Sequence, residues 1–428
     1  MQGGKHMQKR KSWIVILVIY VSMAASIFSA SVISESPICT AARSQYVPAI
    51  YGSIVVWEDN RNGNWDIYGY NLTTSTEFQI TTDGSIQRGA AIYGNVVVWR
   101  DRRNGNDDIY GYNLSTSTEF PICTQANDQS DPAIFGSIVV WTDYRNGNQD
   151  IYGYDLSTST EFQITANLSN QEGPAIYGNT VVWQDWRNGS WDIYGYNLAT
   201  SAEFQITTDG SNQQRPAIYG NIVVWTDRRN GSADVYGYDL STSTEFQITT
   251  DGSHQEKPAI YGSVVVWQDR RNGNWDIYGY DLSTSTEFQI TTDRSHQEYA
   301  DIFCNVVVWE DGRNPSRDIY GATLDTNFCG MSPYASRPVD TNKPMRSLAE
   351  HQISQAQGLL EEVQETCDNL KAEDDPLHDT CCVDRLDEVR EYLEMAEEFF
   401  MSGNYIAANY WALQALRVLQ EIEECCTQ

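Results

Sequence analysis

The chain has 428 residues and carries 58 acidic side chains against 28 basic ones, a formal net charge of −30. With no basic surplus to displace counterions from phosphate, nucleic-acid binding is excluded. An aromatic content of 12% excludes wholesale disorder, a charged content of 20% excludes a coiled-coil rod, and the length suggests roughly two or three domains.

At the N-terminus, Lys5, Lys9, Arg10 and Lys11 precede an apolar run from Trp13 to about Val21, followed by small residues through Ser31. Basic, then apolar, then small is the layout of a secretory leader, assigned to residues 1–34 with Ser29-Ala30-Ser31 as the cleavage site. The apolar stretch continues to Ile33, so residues 13–33 could instead stay in the membrane as an anchor of about 20 residues. Both readings stay open, and both put the rest of the chain outside the cytoplasm, at the cell surface. The N-x-S/T sequons at Asn71, Asn113, Asn167, Asn188 and Asn230 agree with export and glycosylation.

Residues 35–326 are governed by a period of 42: Trp57, Trp99, Trp141, Trp183, Trp225, Trp267 and Trp309 recur at that spacing without an insertion. Each copy reads as four short strands. P-A-I-Y ends in a tight Gly turn. The apolar I-V-V-W ends in R-N-G, a hairpin signal, and D-I-Y-G-Y is turned by S-T-S-T into E-F-Q-I-T. Four strands in 42 residues is the size of one β-propeller blade, and seven copies of one length favour a closed ring. Copy seven lacks its fourth strand, while E-S-P-I-C-T at 35–40 matches E-F-P-I-C-T at 119–124. The segment Pro37–Thr40 is therefore expected to supply that strand and cover the open edge. The fold class is mainly β: a seven-bladed propeller closed by an N-terminal strand.

The repeat D-x-R-N-G-[NS]-x-D-[IV]-Y-G-Y, as at Asp59–Tyr70 and in degenerate form at Asp311–Ala322, resembles the β-propeller repeats of archaeal, chiefly methanogen, surface proteins. Those repeats are related to TolB-type and WD-repeat-like propellers. The resemblance implies an exported surface protein and supplies no catalytic residue.

Two Asp flank each second turn with an Arg between them. The sets are Asp59, Arg61, Asp66; Asp101, Arg103, Asp108; Asp143, Arg145, Asp150; Asp185, Arg187, Asp192; Asp227, Arg229, Asp234; Asp269, Arg271, Asp276; and Asp311, Arg313, Asp318. The main reading is a turn stapled by Arg–Asp pairing. The rival is calcium held by the paired carboxylates, with Arg competing for the same oxygens. A group present in every blade is expected to make blades rather than catalyse, so no catalytic residue, resident metal or cofactor is assigned.

Gln45, Gln87, Gln129, Gln171, Gln213, Gln255 and Gln297 form a second set of period 42, placed at the mouth of the central channel. Each amide either caps its incoming loop or joins a polar ring facing a ligand. The residues that follow differ between copies: Val47, Gly89, Asp131, Gly173, Arg215, Lys257 and Tyr299 occupy one such position. The same face carries Trp65, Tyr144, Trp186, Trp191 and Trp275, able either to stack on sugars or to cover a neighbouring blade.

Residues 327–346 are Pro-, Ser- and Asn-rich and read as a linker. From Ser347 the apolar period changes to about 3.6 along three faces, Leu348–Leu370, Val383–Phe400 and Ala408–Ile422, which predicts a three-helix bundle. This segment, 347–428, holds 19 acids and 4 bases. An up-down-up path gathers Cys367, Cys381, Cys382, Cys425 and Cys426 at one end, as disulfides or, with His378, a zinc site. Cys304 and Cys329 are candidates for a disulfide closing blade seven.

The expected function is a non-enzymatic surface scaffold that binds a cell-envelope protein or glycan on its loop face, with the helices as a docking or oligomerisation module. The alternatives are a lectin and a secreted polysaccharide-acting propeller enzyme.

Overall fold

The structure is a computed structural model that describes residues 31–325 and, beyond them, a set of helical residues between 353 and 422. Residues 31–325 form seven four-stranded antiparallel sheets, one for each 42-residue copy. In blade one the order is Gln45–Tyr51, Ile54–Asp59, Asp66–Asn71, Thr76–Gln79. The first strands of neighbouring blades contact one another, so they line the centre of the ring.

Blade seven closes as the sequence match predicts. Val32–Cys39 pairs antiparallel with Asp318–Leu324, with Pro37 opposite Tyr320 and Glu35 opposite Ala322. The strand is longer than the expected Pro37–Thr40, beginning at Val32. Val32 packs against the cluster around Val264, Trp309 and Leu324, and the Ser31 carbonyl accepts a 2.7 Å hydrogen bond from Asp325 N. Val32 and Ile33 are thus sheet residues, and a membrane segment that included them would strip the outer edge of blade seven.

The second strand is apolar on both faces because it is buried on both. Val55, Val56 and Trp57 are fully buried. Val55 and Trp57 enter the seam with blade seven, where Ile38 and Cys39 of the closing strand also lie, and Val56 enters the seam with blade two. Burying a side chain of this size stabilises by roughly 1.5–3 kcal/mol. The Gly of D-I-Y-G-Y is required by space: a Cβ on Gly69 would sit 2.6 Å from the Phe78 ring of the fourth strand.

The first strand begins at Gln45, three residues before P-A-I-Y. The ladder slips between Tyr46 and Ala49, and Val47 in the bulge has φ +49°. Its far end carries an aromatic circle: Tyr51, Tyr93, Phe135, Tyr177, Tyr219, Tyr261 and Phe303 touch in sequence and back to Tyr51, with ring centroids 4.6–4.7 Å apart. These rings narrow the channel at the end opposite the R-N-G turns.

Beyond the propeller, Ala356, Val363 and Cys367, Leu386, Val389 and Leu393, and Ala415, Leu419 and Ile422 share one buried apolar cluster. All nine belong to the three predicted helical faces. The linker, Cys329, Cys381, Cys382, Cys425, Cys426 and His378 lie outside the described residues, as does the leader before Ser31. Cys39 and Cys123 are the free thiols among the described residues.

Candidate functional site: the loop face and channel mouth

Each second turn is a closed polar cluster. Asp59, fully buried, accepts Trp57 Nε1–H at 3.1 Å, Arg61 N–H at 2.8 Å and Arg61 Nη2–H at 2.5 Å. The Arg61 guanidinium lies 4.2 Å over the Tyr68 ring and pairs with Glu77 of the fourth strand. The Trp that sets the period therefore anchors the turn through its indole N–H. The Arg–Asp pair recurs in all seven blades, always with the first Asp.

The second Asp has different partners. Asp66 accepts from Asn62 Nδ2 at 3.0 Å and Asn64 Nδ2 at 2.9 Å, and burial raises its pKa. In blades four, five and seven, Ser190, Ser232 and Ser316 stand where that second Asn would be, and in blades four and seven one oxygen of Asp192 and of Asp318 has no partner among the described residues. The two carboxylates of a turn are thus separately engaged by protein donors. Among the described residues no group of three His, Cys, Asp or Glu side chains is placed to hold a metal ion.

The seven Gln side chains are fully buried. In six blades Nε2 donates to the carbonyl two residues earlier, as in Gln45 to Arg43 at 3.0 Å and Gln171 to Ser169 at 2.6 Å. Gln255 is the exception, and in all seven Oε1 has no protein donor among the described residues. The surface open at the mouth is made by the residues after each Gln.

Those residues stand on one repeated backbone. Val47, Gly89, Asp131, Gly173, Arg215, Lys257 and Tyr299 all have φ between +49° and +64°. In six seams, the bulge N–H is held by the side chain that follows the Trp of the preceding blade: Gln184 Oε1 accepts Arg215 N at 2.8 Å and Thr226 Oγ1 accepts Lys257 N at 3.0 Å. Glu58, Thr142, Gln268 and Glu310 do the same for Gly89, Gly173, Tyr299 and Val47. Arg100 has no acceptor to offer Asp131, so the blade-two seam lacks this stitch.

Neither this stitch nor the Arg–Glu pair was read from the sequence. The signals were present: a Glu in every copy, with Glu35 in register with Glu119, and Glu, Thr or Gln after six of the seven Trp.

Two cavities open here. One, of about 420 Å³, occupies the channel and is lined by Val47, Pro132, Arg215, Lys257, Tyr299 and Asp301 among others. The other, of about 470 Å³, lies between blades seven, one and two and is lined by Tyr46, Val47, Glu58, Trp65, Arg88, Arg100, Glu298, Tyr299 and Glu310. Burial pushes the Glu310 carboxyl up to about 7 against the pull of Arg317.

The loop aromatics divide. Trp65 lies beside Tyr46, with the Arg88 guanidinium 4.4 Å over its ring. Trp186 is 41% exposed and meets Trp191 edge-on at 5.2 Å. Tyr144 is 37% exposed, and Trp275 is half-buried with Arg270 at 5.8 Å.

No family model matches the chain, and no curated protein matches it in sequence. Solved propellers match its fold. An oligogalacturonate lyase in complex with manganese superposes with a TM-score of 0.52 at 14% identity, covering 68% of this chain and 93% of that one. The propeller domain of the Trilobed protease from Pyrococcus furiosus gives 0.53 at 14% identity, covering 67% and 98%. A puromycin-hydrolysing peptidase from Mycobacterium tuberculosis gives 0.54 at 11%, covering 70% of this chain and 54% of that one, so the chain spans about half of that enzyme. The Pyrococcus domain is described as having an open velcro topology, whereas here Val32–Cys39 pairs with the last propeller strand. At these identities the likeness shows a seven-bladed propeller fold.

Proposed function

We propose that this chain is an exported, non-enzymatic binding propeller that engages a cell-envelope protein or glycan at the channel mouth on its loop face. One observation carries the reading: seven positions share one backbone conformation and yet hold Val, Gly, Asp, Gly, Arg, Lys and Tyr. A constant frame with varied contents suits recognition, while the groups repeated in every blade are consumed in making blades.

Export is supported by the basic, apolar, then small order of residues 5–31 and by the sequons. Glycans fit Asn71 and Asn113 better than Asn188 and Asn230, whose Nδ2 atoms donate to Asp192 and Asp234 inside the turns. The surface-repeat resemblance supports the same location. Three helices joined by cysteines, as the docking or oligomerisation module, are supported by the shared apolar cluster that includes Cys367. A Cys304–Cys329 closure is supported by the position of Cys304 in the blade-seven turn, at φ +58° where the other blades have Gly.

A second reading, a polysaccharide-acting enzyme, is favoured by Glu310, whose carboxyl titrates near neutrality beside Glu298. The test is a glycan array with the full chain, followed by a hydrolysis assay on each ligand. Binding without turnover, abolished by substitutions at the mouth, is expected. Turnover would replace the first reading with the second, and binding unaffected by mouth substitutions would remove the site.

A further inference from the structure

Several charges on the loop face are ion-paired, while Arg43 donates to the Asn60 carbonyl and Arg270 lies over the Trp275 ring. Glu256 pairs with Arg228 at 2.8 Å, and Glu298 pairs with Arg317 at 2.7 Å. Arg215 and Lys257 have no ion-pair partner among the described residues; none of the salt bridges on this face includes either. They stand on adjacent blades of the innermost circle, over a cavity walled by Pro and Ala residues together with Tyr299 and Asp301.

Their placement is built. The bulge N–H of each is fixed to the preceding blade by Gln184 and Thr226. Lys257 Nζ sits 3.1 Å from the centroid of the Tyr299 ring, and the Arg215 charge acts on both Lys257 and that tyrosine. The one carboxylate lining that cavity, Asp301, accepts from Ile50 N and Ile302 N and forms an ion pair with neither cation, so two neighbouring cations without an ion-pair partner, in a chain of net charge −30, are an unfilled anion site.

Tyr299 and Val47 are shared with the neighbouring cavity. That cavity offers Glu58, Glu298 and Glu310 as acceptors and Arg88 and Arg100 as donors, with Trp65 and Tyr46 as rings. Sugar hydroxyls, which both donate and accept, suit this mixed lining of three glutamates and two arginines, whereas an acidic peptide side chain could use only the arginines and would meet three carboxylates. We infer that Arg215 and Lys257 bind the carboxylate of an acidic saccharide, a uronic-acid unit, whose hydroxyls extend across Tyr299 toward the glutamate-lined cavity. This deepens the reading of the channel mouth as the binding surface and rests on it.

The test is calorimetric titration of the full chain with a tetrauronate, its methyl ester, a neutral tetrasaccharide of the same linkage and an acidic peptide. Tighter binding of the uronate than of its ester by at least tenfold is expected. Lys257→Met and Arg215→Gln should each lose at least tenfold for the uronate while leaving the urea midpoint unchanged, and Lys257→Arg should recover part of the loss. The Lys257 ammonium is lowered to about 8 by burial and Arg215, against the opposing pull of Glu298, Glu310 and Glu256. Uronate affinity should therefore fall as pH rises through about 8 in the wild type, and not in Lys257→Met. Equal affinity for uronate and ester, or preference for the peptide, overturns the uronate assignment and leaves the channel mouth as a binding surface. Binding of none of the four overturns the assignment and counts against that surface too.

Discussion

Arg313 Nη2 of blade seven lies 2.6 Å from Glu35 Oε1, a residue of the strand that opens the propeller. The same guanidinium holds Asp311 at 2.7 Å and covers the Tyr320 ring at 4.1 Å. Glu35 thus does in blade seven what Glu77 does in blade one, and the pair joins the two ends of the ring. Both side chains are about a quarter exposed, so Glu35→Ala should cost only about 0.5–1 kcal/mol. A double-mutant cycle with Arg313→Ala, followed by urea unfolding, should give a coupling energy of that size. A coupling of zero would mean that closure rests on the backbone ladder and the Ile38–Cys39 packing alone.

Much of this was legible because a repeat averages out local ambiguity. The Trp spacing defined the blades, and the match of 35–40 to 119–124 located the closing strand, with Glu35 aligned to Glu119. The start of the strand was missed because Val32 and Ile33 read equally well as the end of an apolar leader. Only their pairing with the last strand separates the two readings. The mouth was legible as a set of variable positions after each Gln. That the Gln side chains are buried beneath it was not, since a polar side chain gives no sign of its direction until the bulge at Val47 turns the chain.

The Gly of D-I-Y-G-Y is predicted to be a packing residue. In blade three a Cβ on Gly153 would lie 2.6 Å from two carbons of the Phe162 ring. Gly153→Ala should destabilise by about 1–3 kcal/mol through overpacking. Gly153→Ala with Phe162→Leu should cost less than the sum of the two single changes. Strict additivity in chemical unfolding would show that ring and glycine do not share the space.

Cys39 and Cys123 occupy equivalent positions, and burial pushes both thiols up to about 12. Arg61 and Arg145 approach their sulfurs at 3.1 and 3.0 Å without reversing that effect. A thiolate is the reactive form, so iodoacetamide at pH 8 should leave both unmodified in the native protein and label both in urea. Native labelling of Cys39 but not Cys123, read by peptide mass spectrometry, would show that the closing strand detaches under native conditions.

Asp301 gives a pH dependence with a definite sign. It stands where the other six blades carry Ala, and its oxygens accept Ile50 N of blade one and Ile302 N, each at 2.9 Å. Burial nonetheless raises its carboxyl from 3.8 to about 6. A carboxyl that binds its proton more tightly when folded stabilises fully below its unfolded pKa. That contribution is lost as pH rises through the folded value. Asp301→Ala should therefore bring no gain at pH 4 and a gain of about 1–3 kcal/mol at pH 8, less whatever the two lost hydrogen bonds contributed. Glu310 titrates in the same region but is present in both proteins, so the difference between their stability–pH curves isolates Asp301. Urea unfolding at pH 4, 6 and 8 measures it. Parallel curves would mean that water reaches the Asp301 carboxylate and that the charge is not confined in the channel wall.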